Sequence, residues 1–124
     1  MTTLVVNSLL VVALLCCTVA AHAQEYVRAS WYGPGFEGKL MAFRGTFRSS
    51  DPTIAAHRTL PRDTVLLLRN LKNDRRLVVV VKDRGPYVSK DPDRKLDLSR
   101  AAAEYLDFID DGVAWIEMHV GVRM

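Results

Sequence analysis

The chain opens with a nearly continuous apolar segment, and polar residues alternate with apolar ones only further along. Residues 1–23 contain no Lys, Arg, Asp or Glu, and Leu4–Val19 is apolar apart from a few positions. Ala21-His22-Ala23 follows, a small-x-small sequence typical of signal peptidase sites. The pattern predicts a signal peptide over residues 1–23, cleaved before Gln24, and export across the inner membrane to the periplasm or cell envelope. The alternatives are a retained anchor or a buried helix, but the apolar core is short for a span of about 20 residues.

After residue 24 the pattern predicts about six short strands and one helix. Thr64–Arg69 and Arg76–Lys82 are apolar at nearly every position, and the polar sequence between them is typical of a hairpin loop. Strands of this kind are expected to be buried on both faces, as in a small barrel with covering elements. The remaining predictions are strands over Tyr26–Tyr32, Met41–Phe47, Thr53–Ala56 and Val113–Val122, a polar loop over Lys90–Lys95, and a helix over Arg100–Leu106 capped by Ser99. The fold class is therefore mainly β, a barrel with a helical insertion.

Composition limits the chemistry of this domain, predicted to span residues 24–124. Of the 124 residues only two are cysteines, Cys16 and Cys17, and both lie in the predicted leader. The exported domain therefore has no disulfide, thiolate zinc site or cysteine nucleophile, and lipid attachment at Cys17 is a weaker alternative to cleavage. Neither a phosphate-binding loop nor metal-ligand spacing is present, so no cofactor and no metal are expected. The net charge of +3 suits an anionic polymer outside the cytoplasm better than nucleic acid, and a monomer is expected.

Three polar residues stand at places where catalytic groups occur. Asp83 ends an apolar strand, where a partly desolvated carboxylate can act as a general acid; the alternatives are a turn aspartate bonded to backbone amides or an ion pair with Arg84. His57 lies where a strand gives way to a loop, although a lone histidine is more often structural. Asp97 could line a cleft or organise the start of the helix, and the helix start is favoured. His119, within a strand pattern, is expected to be an ordinary strand histidine.

Several motifs in order resemble the rare lipoprotein A family, the septal-ring lytic transglycosylases of bacteria. The similarity extends from about Ala29 to Val120. It implies a six-stranded double-psi β-barrel, which agrees with the strand pattern. The matching segments are Ala29-Ser30-Trp31-Tyr32-Gly33-x-x-Phe36-x-Gly38, Ala55-Ala56-His57-Arg58-Thr59-Leu60-Pro61, Val65 through Leu71, Val78–Val80 with Asp83-Arg84-Gly85-Pro86-Tyr87, Asp97-Leu98-Ser99 with Ala101-Ala102-Ala103, and Gly112-Val113-Ala114.

The resemblance implies cleavage of the β-1,4 bond between N-acetylmuramic acid and N-acetylglucosamine in peptidoglycan, with a preference for glycan strands without stem peptides. The muramic acid C6 hydroxyl attacks its own anomeric carbon and leaves a 1,6-anhydro end, so one acid/base group suffices. The family motifs place that group at Asp83 and place a histidine that positions the sugar, or sets the protonation of Asp83, at His57. The side chains expected to contact glycan are Trp31, Tyr32, Glu37, Arg84 and Tyr87.

The chain departs from the family pattern at a few positions. Thr46 stands where the family usually has a glutamate, and a threonine cannot donate or accept a proton as a carboxylate does. Glu37 replaces a histidine, while Asp63 and Asp74 replace turn glycines at a small expected cost in stability. The loss at Thr46 favours a second hypothesis, a non-catalytic, expansin-like module that binds the cell wall. A third hypothesis is a structural partner of division-site proteins.

Overall fold

Six strands close into a barrel, and one short helix is inserted between the last two. The structure, a computed structural model, describes residues 24–87 and 90–123, so the predicted leader and Cys17 lie outside the described residues. Within them, the order around the barrel is β1-β5-β2-β4-β3-β6, with β1/β5 and β2/β4 parallel and the other pairs antiparallel. This architecture confirms the predicted six-stranded barrel with one helix. The elements are β1 (Gln24–Trp31), β2 (Ile54–His57), β3 (Thr64–Asn70), β4 (Arg76–Asp83), β5 (Arg94–Leu98), α1 (Arg100–Leu106) and β6 (Val113–Arg123).

Two of the predicted elements are wrong. Met41–Phe47, predicted as a strand, is a loop whose only ladder contact is an isolated bridge between Leu40 and Thr46. Gly45 there has φ +80°, a left-handed conformation that interrupts any extended run. Lys90–Lys95, predicted as a loop, overlaps the start of β5. The strand total was right because the wrongly predicted strand and the missed one cancel.

The barrel interior is filled by alternate residues of each strand. On β3, Leu66 and Leu68 are fully buried, whereas Leu67 between them is 40% exposed. Val78, paired with Leu67 on β4, is 52% exposed. The prediction that these strands are buried on both faces is therefore wrong: successive side chains alternate between the core and the outer surface, and the outer positions here are apolar but uncovered.

Helix α1 is stabilised at both ends by side chains. Ser99 caps its start, accepting a hydrogen bond from the Ala102 amide at 3.1 Å, and two asparagines, Asn70 and Asn73, donate to the Leu106 carbonyl at its end. Asp97 has no part in the cap, so the favoured helix-start assignment for it is wrong. Its side chain points from β5 toward Ser30 instead. No helix among the described residues is long and apolar enough to cross a membrane.

The register of the strands determines which residues meet at one end of the barrel. Ala56 on β2 pairs with Asp83 on β4 and with Asp97 on β5, so it lies between the two aspartates. On the other side of β5, Leu98 pairs with Trp31 at the end of β1. Tyr32 follows β1 directly, and its amide donates to the Leu98 carbonyl. The ends of β1 and β4 and the second half of β5 are thereby gathered at one place.

Candidate active site

Asp83 is held by three hydrogen-bond donors at the end of β4. The amides of Ala42 and Arg84 donate to Oδ1 at 2.7 and 2.9 Å, and the Tyr32 hydroxyl donates to Oδ2 at 2.7 Å. Two of the donors are backbone amides, as the turn-aspartate alternative expected. The Ala42 amide comes from the loop that replaces the predicted strand, so this loop is part of the site. Asp83 is the acceptor in all three hydrogen bonds, and together they fix the orientation of its side chain.

Asp97 lies across Ala56 from Asp83 and has a less polar environment. Its Oδ1 accepts a hydrogen bond from the Ser30 hydroxyl at 3.0 Å, and the Ser30 oxygen in turn accepts one from Arg94 Nε at 2.6 Å. Burial raises the pKa of Asp97 to about 6, against the opposing effects of the Ser30 hydrogen bond and the Arg94 charge, and the negative charge of Asp83 raises it further. Asp97 is therefore partly protonated near neutral pH.

Both aspartates line one open cleft of about 330 Å³. A second pocket of about 280 Å³ shares Trp31, Tyr32 and Gly33 with it, so that together they form a groove on both sides of the end of β1. Arginines lie along this groove, with Arg84 and Arg94 in the first cleft and Arg100 in the second pocket. The walls of the groove are therefore a mixture of apolar and positively charged side chains.

The aromatic residues of the groove divide into buried and exposed members. Tyr32 is only 7% exposed and stacks on Phe47 with 4.2 Å between the ring centroids, so it belongs to the fold rather than to a stacking platform. Burial and the hydrogen bond to Asp83 raise the pKa of Tyr32 far above its usual value, and its hydroxyl therefore stays a proton donor in that bond. Tyr87 and Phe36, 68% and 46% exposed, are the rings available to a ligand, and Trp31 is half-buried.

His57 is buried at the end of β2 and is not among the residues that line the cleft. Its Nδ1 accepts hydrogen bonds from the amides of Thr59 and Leu60, both at 3.1 Å. Burial lowers the pKa of His57, and the nearby cations Lys95, Arg84 and Arg58 lower it further. Nε2 is buried without a hydrogen-bond partner among the described residues. His57 is thus neutral and shapes the turn at residues 57–60.

Arg84 connects this turn to Asp83. Its Nη1 donates to the carbonyls of His57, at 3.0 Å, and Leu60, and its guanidinium lies over the Phe43 ring, 4.4 Å from the centroid. Its own amide donates to Asp83. The Arg84 guanidinium, which was predicted to bind glycan, therefore contacts mainly the protein itself. Arg84 also links the His57 turn to Asp83 by hydrogen bonds.

The two departures from the family pattern nearest the site lie in different pockets. Thr46 lines a pocket of about 350 Å³ together with Lys82 and Asp51, and Asp83 is not among the residues of that pocket. Glu37 lies in the 280 Å³ pocket, where its Oε2 accepts a hydrogen bond from the Ser49 amide; this bond, above all, lowers the pKa of Glu37. Glu37 therefore does not occupy the place of the missing glutamate.

His119 lies outside the groove, and the described residues contain no group of side chains suited to a metal ion. His119 lies on β6, where its Nε2 is 2.7 Å from Glu117 Oε1, as expected of an ordinary strand histidine. Among residues 24–87 and 90–123, no three His, Cys, Asp or Glu side chains are grouped so that they could hold a metal ion. The polar chemistry of the groove therefore centres on Asp83 and Asp97.

A family model described as "Lytic transglycolase" matches residues 24–118, which include β1 to β5, the first half of β6 and both aspartates. The chain belongs to the rare lipoprotein A family. It is 46% identical over 92 residues to "Endolytic peptidoglycan transglycosylase RlpA" of Campylobacter jejuni, covering 74% of this chain and 32% of that protein. It is 48% identical over 98 residues to the "Probable endolytic peptidoglycan transglycosylase RlpA" of Aquifex aeolicus, covering 77% and 42%. The chain thus spans well under half the length of these relatives.

The fold of the family member also resembles a solved structure. It superposes on the Streptomyces papain inhibitor, a double-psi barrel, with a TM-score of 0.62 and 23% identity, covering 81% of this chain and 96% of the inhibitor. At this identity the likeness extends to the barrel alone.

The sequence did not predict the groups that form hydrogen bonds around Asp83 and Asp97. The Ala42 amide donates from a loop that the pattern predicted as a strand. Ser30, which donates to Asp97, and Arg94, which donates to Ser30, were also missed, because in each pair the partners are more than 60 residues apart in the chain. The one available clue was the position of Ser30 within the Ala-Ser-Trp-Tyr-Gly motif.

Proposed function

We propose that this protein is an endolytic peptidoglycan transglycosylase, which cleaves the β-1,4 bond between N-acetylmuramic acid and N-acetylglucosamine and leaves 1,6-anhydro ends. The observation that carries the proposal is Asp83, fixed by three donors inside an open groove that Asp97 also lines. The "RlpA" transglycosylase names of the relatives support the same activity. Glycan strands without stem peptides are the proposed preferred substrate.

The chemistry requires proton transfer and a held sugar, and the groove provides for both. The muramic acid C6 hydroxyl attacks its own anomeric carbon while the glycosidic bond breaks, so no water molecule and no metal ion enter the balance. A carboxylate beside the bond is enough to perform the acid–base work. Asp83 has the fixed orientation that this work needs, because the Tyr32 hydroxyl and two amides hold it.

The exposed rings of the groove suit the apolar faces of sugars. Tyr87 and Phe36 lie in the cleft that holds the aspartates, and Trp31 stands between this cleft and the adjoining pocket. Aromatic rings pack against the apolar faces of ligands while their edges stay solvated. A glycan strand lying along the groove would place a sugar on either side of Trp31.

Digestion of purified peptidoglycan tests the proposal. The full chain is expected to release anhydro-muramyl products, detected by mass spectrometry, from both intact peptidoglycan and strands stripped of stem peptides. Asp83→Asn, which keeps the size of the side chain, is expected to lower product formation about 10²- to 10⁴-fold. The matched control is Asp110→Asn, an exposed aspartate that lines neither pocket of the groove. An Asp83→Asn variant as active as wild type, or a wild type without anhydro products, would contradict the proposal.

Thr46 favours a second candidate, a module that binds the cell wall without cutting it. The family glutamate is absent there, and Glu37 lies in another pocket. This candidate predicts that the protein sediments with peptidoglycan but releases no soluble glycan. The same digestion therefore distinguishes the two candidates, and a protein that does neither would fit a structural partner of division-site proteins.

We also propose that residues 1–23 direct export and are removed before Gln24. All strands of the described chain lie after Ala23, so cleavage there leaves the barrel intact. Amino-terminal sequencing of the protein from the cell envelope is expected to begin at Gln24. A start at Cys17 with an attached lipid would instead show the lipoprotein route, and an uncleaved chain would show a retained anchor.

A further inference from the structure

The proposed reaction moves two protons, and the cleft contains two carboxylates. One proton must reach the glycosidic oxygen that leaves, and the other must depart from the C6 hydroxyl that attacks. A single residue can do both in turn, but only if it can reach both oxygens. Asp83 and Asp97 line the same cleft, so each can serve one oxygen. This inference rests on the proposed function and concerns its division of labour.

The strand register places the two aspartates on β4 and β5, the strands that flank β2. Both pair with Ala56, one on each neighbouring strand. Because adjacent strands lie about 4.8 Å apart, their α-carbons are about 10 Å apart. With their α-carbons this far apart, the two side chains can reach different oxygens of a sugar bound in the cleft that both line.

The two side chains differ in how their hydrogen-bonding capacity is used. Asp83 accepts three bonds, which occupy both of its oxygens and fix the orientation of its carboxyl group. Asp97 accepts one, from Ser30, whose oxygen is already committed to Arg94; the Ser30 proton is thereby directed at Oδ1. No hydrogen bond joins Oδ2 of Asp97 to another residue of the described chain, so Oδ2 is the atom that can carry a proton into the cleft.

We propose that Asp97 is a catalytic residue, the acid that protonates the leaving oxygen, while Asp83 is the base that accepts the C6 hydroxyl proton. The C1–O4 bond breaks, and its electron pair stays on O4, which takes the proton of Asp97. The C6 oxygen forms the new bond to C1, and its proton passes to Asp83. After the turnover, the proton on Asp83 returns to Asp97 through solvent in the cleft, so all atoms and charges balance.

Burial and electrostatics support this assignment. Desolvation raises the pKa of Asp97 to about 6, and among the charged groups that face it, Asp83 raises this pKa while Arg94 lowers it. Tyr32, whose own pKa is raised, stays neutral beside both aspartates. Paired carboxylates in unlike environments commonly divide acid and base functions in this way.

Two substrates separate an acid from a merely structural aspartate. The full-chain wild type, Asp97→Asn, Asp83→Asn and the control Asp93→Asn, an exposed aspartate just before β5, are assayed on glycan strands and on a nitrophenyl β-glycoside of N-acetylmuramic acid. Nitrophenoxide leaves without being protonated. Asp97→Asn is therefore expected to lose about 10²- to 10⁴-fold on glycan strands but to stay close to wild type on the nitrophenyl substrate. Asp83→Asn is expected to lose activity on both, and Asp93→Asn on neither.

The outcomes distinguish this inference from the proposed function. If the wild type makes no anhydro product from either substrate, both fail. If the wild type is active and Asp97→Asn either cleaves glycan normally or loses both substrates equally, only the assignment of Asp97 is overturned.

A titration independent of turnover adds a second criterion. The carboxyl carbon of Asp97, followed by NMR, is expected to titrate near pH 6 in the wild type and at lower pH in Asp83→Asn, because the charge of Asp83 is gone. A titration of Asp97 that is the same in both proteins would overturn the inference. Thermal unfolding of each variant confirms that the barrel is retained.

Discussion

At the scale of single residues, His57 shows how a group can matter to a site without touching it. Its Nδ1 accepts two backbone amides, which is possible only while that nitrogen carries no proton. The turn it shapes presents the carbonyls of His57 and Leu60 to Arg84, and the Arg84 amide bonds Asp83. We therefore expect His57 to act through position rather than through proton transfer.

The stability of the fold should depend on the protonation of His57. Its pKa is below the ordinary value of 6.5, so the unfolded chain takes up a proton first as the pH falls. The stabilisation is then fully present above about pH 6.5 and is lost as the pH falls toward the lower value in the folded state. As the pH falls from 8 to 5, the wild type is expected to lose stability to urea relative to His57→Asn, whose amide oxygen keeps an acceptor near the Nδ1 position. The comparison cancels the contribution of Asp97, whose raised pKa favours the folded state as the pH falls.

His119→Asn is the control for this experiment, because it removes an imidazole that bonds Glu117 on the barrel surface. It is expected to leave the decline below pH 6.5 in place. Equal pH profiles for wild type and His57→Asn would show that the imidazole is not the titrating group.

The two aspartates differ in how far sequence could predict them. Asp83 could be predicted from its neighbours in the sequence, because a run of valines indicates a buried strand and the Asp-Arg-Gly-Pro motif follows it. The position of Asp97 in the cleft follows from β2 lying between β4 and β5, a pairing between segments distant in the chain. The local sequence favoured a place for Asp97 at the start of the helix, because Ser99 and three alanines follow it closely. No local pattern indicates that Asp97 lines the cleft.

At the scale of elements, every strand except β5 was predicted near its observed position. β3, β4 and β6 were placed within one residue or so, and α1 was placed at its observed bounds. β5 has only Leu96 and Leu98 to show its alternation, directly after a polar stretch, so its pattern was too short to recognise. Met41–Phe47 has strand-like composition, but Gly45 and the contact of Ala42 with Asp83 favour a loop folded over the end of β4.

The start of α1 gives a direct test of the corrected assignment. Ser99→Ala removes the acceptor of the Ala102 amide at a fully buried position and is expected to lower the free energy of unfolding by about 1 kcal/mol. Asp97→Asn, two residues earlier, is expected to cause no such loss at pH 7, because it removes a carboxylate that burial destabilises in its charged form. Ser50→Ala, at an exposed turn, is the control. If Asp97→Asn lowers the free energy of unfolding more than Ser99→Ala does, Asp97 rather than Ser99 stabilises the start of the helix.

At the scale of the whole molecule, the groove offers the proposed glycan substrate two kinds of contact. The net charge of +3 favours an anionic strand at long range, and the arginines of the groove bring part of that charge close to it. Exposed rings, with Tyr87 the most exposed, add contacts that do not depend on charge. These contributions respond differently to salt, so they can be separated.

Sedimentation of the full chain with peptidoglycan should therefore fall with salt but not to zero. Raising the salt from 0.1 to 1 M shortens the screening length from about 10 to about 3 Å, which removes most of the charge contribution. Tyr87→Ala is expected to weaken the binding that remains in 1 M salt, because it removes a ring 68% exposed in the cleft. Tyr105→Ala removes a ring that is 54% exposed on α1 and is not among the residues that line the groove, so it is expected to bind like wild type. If both variants lose binding equally, or if salt has no effect on the wild type, the groove is not the surface that holds the wall.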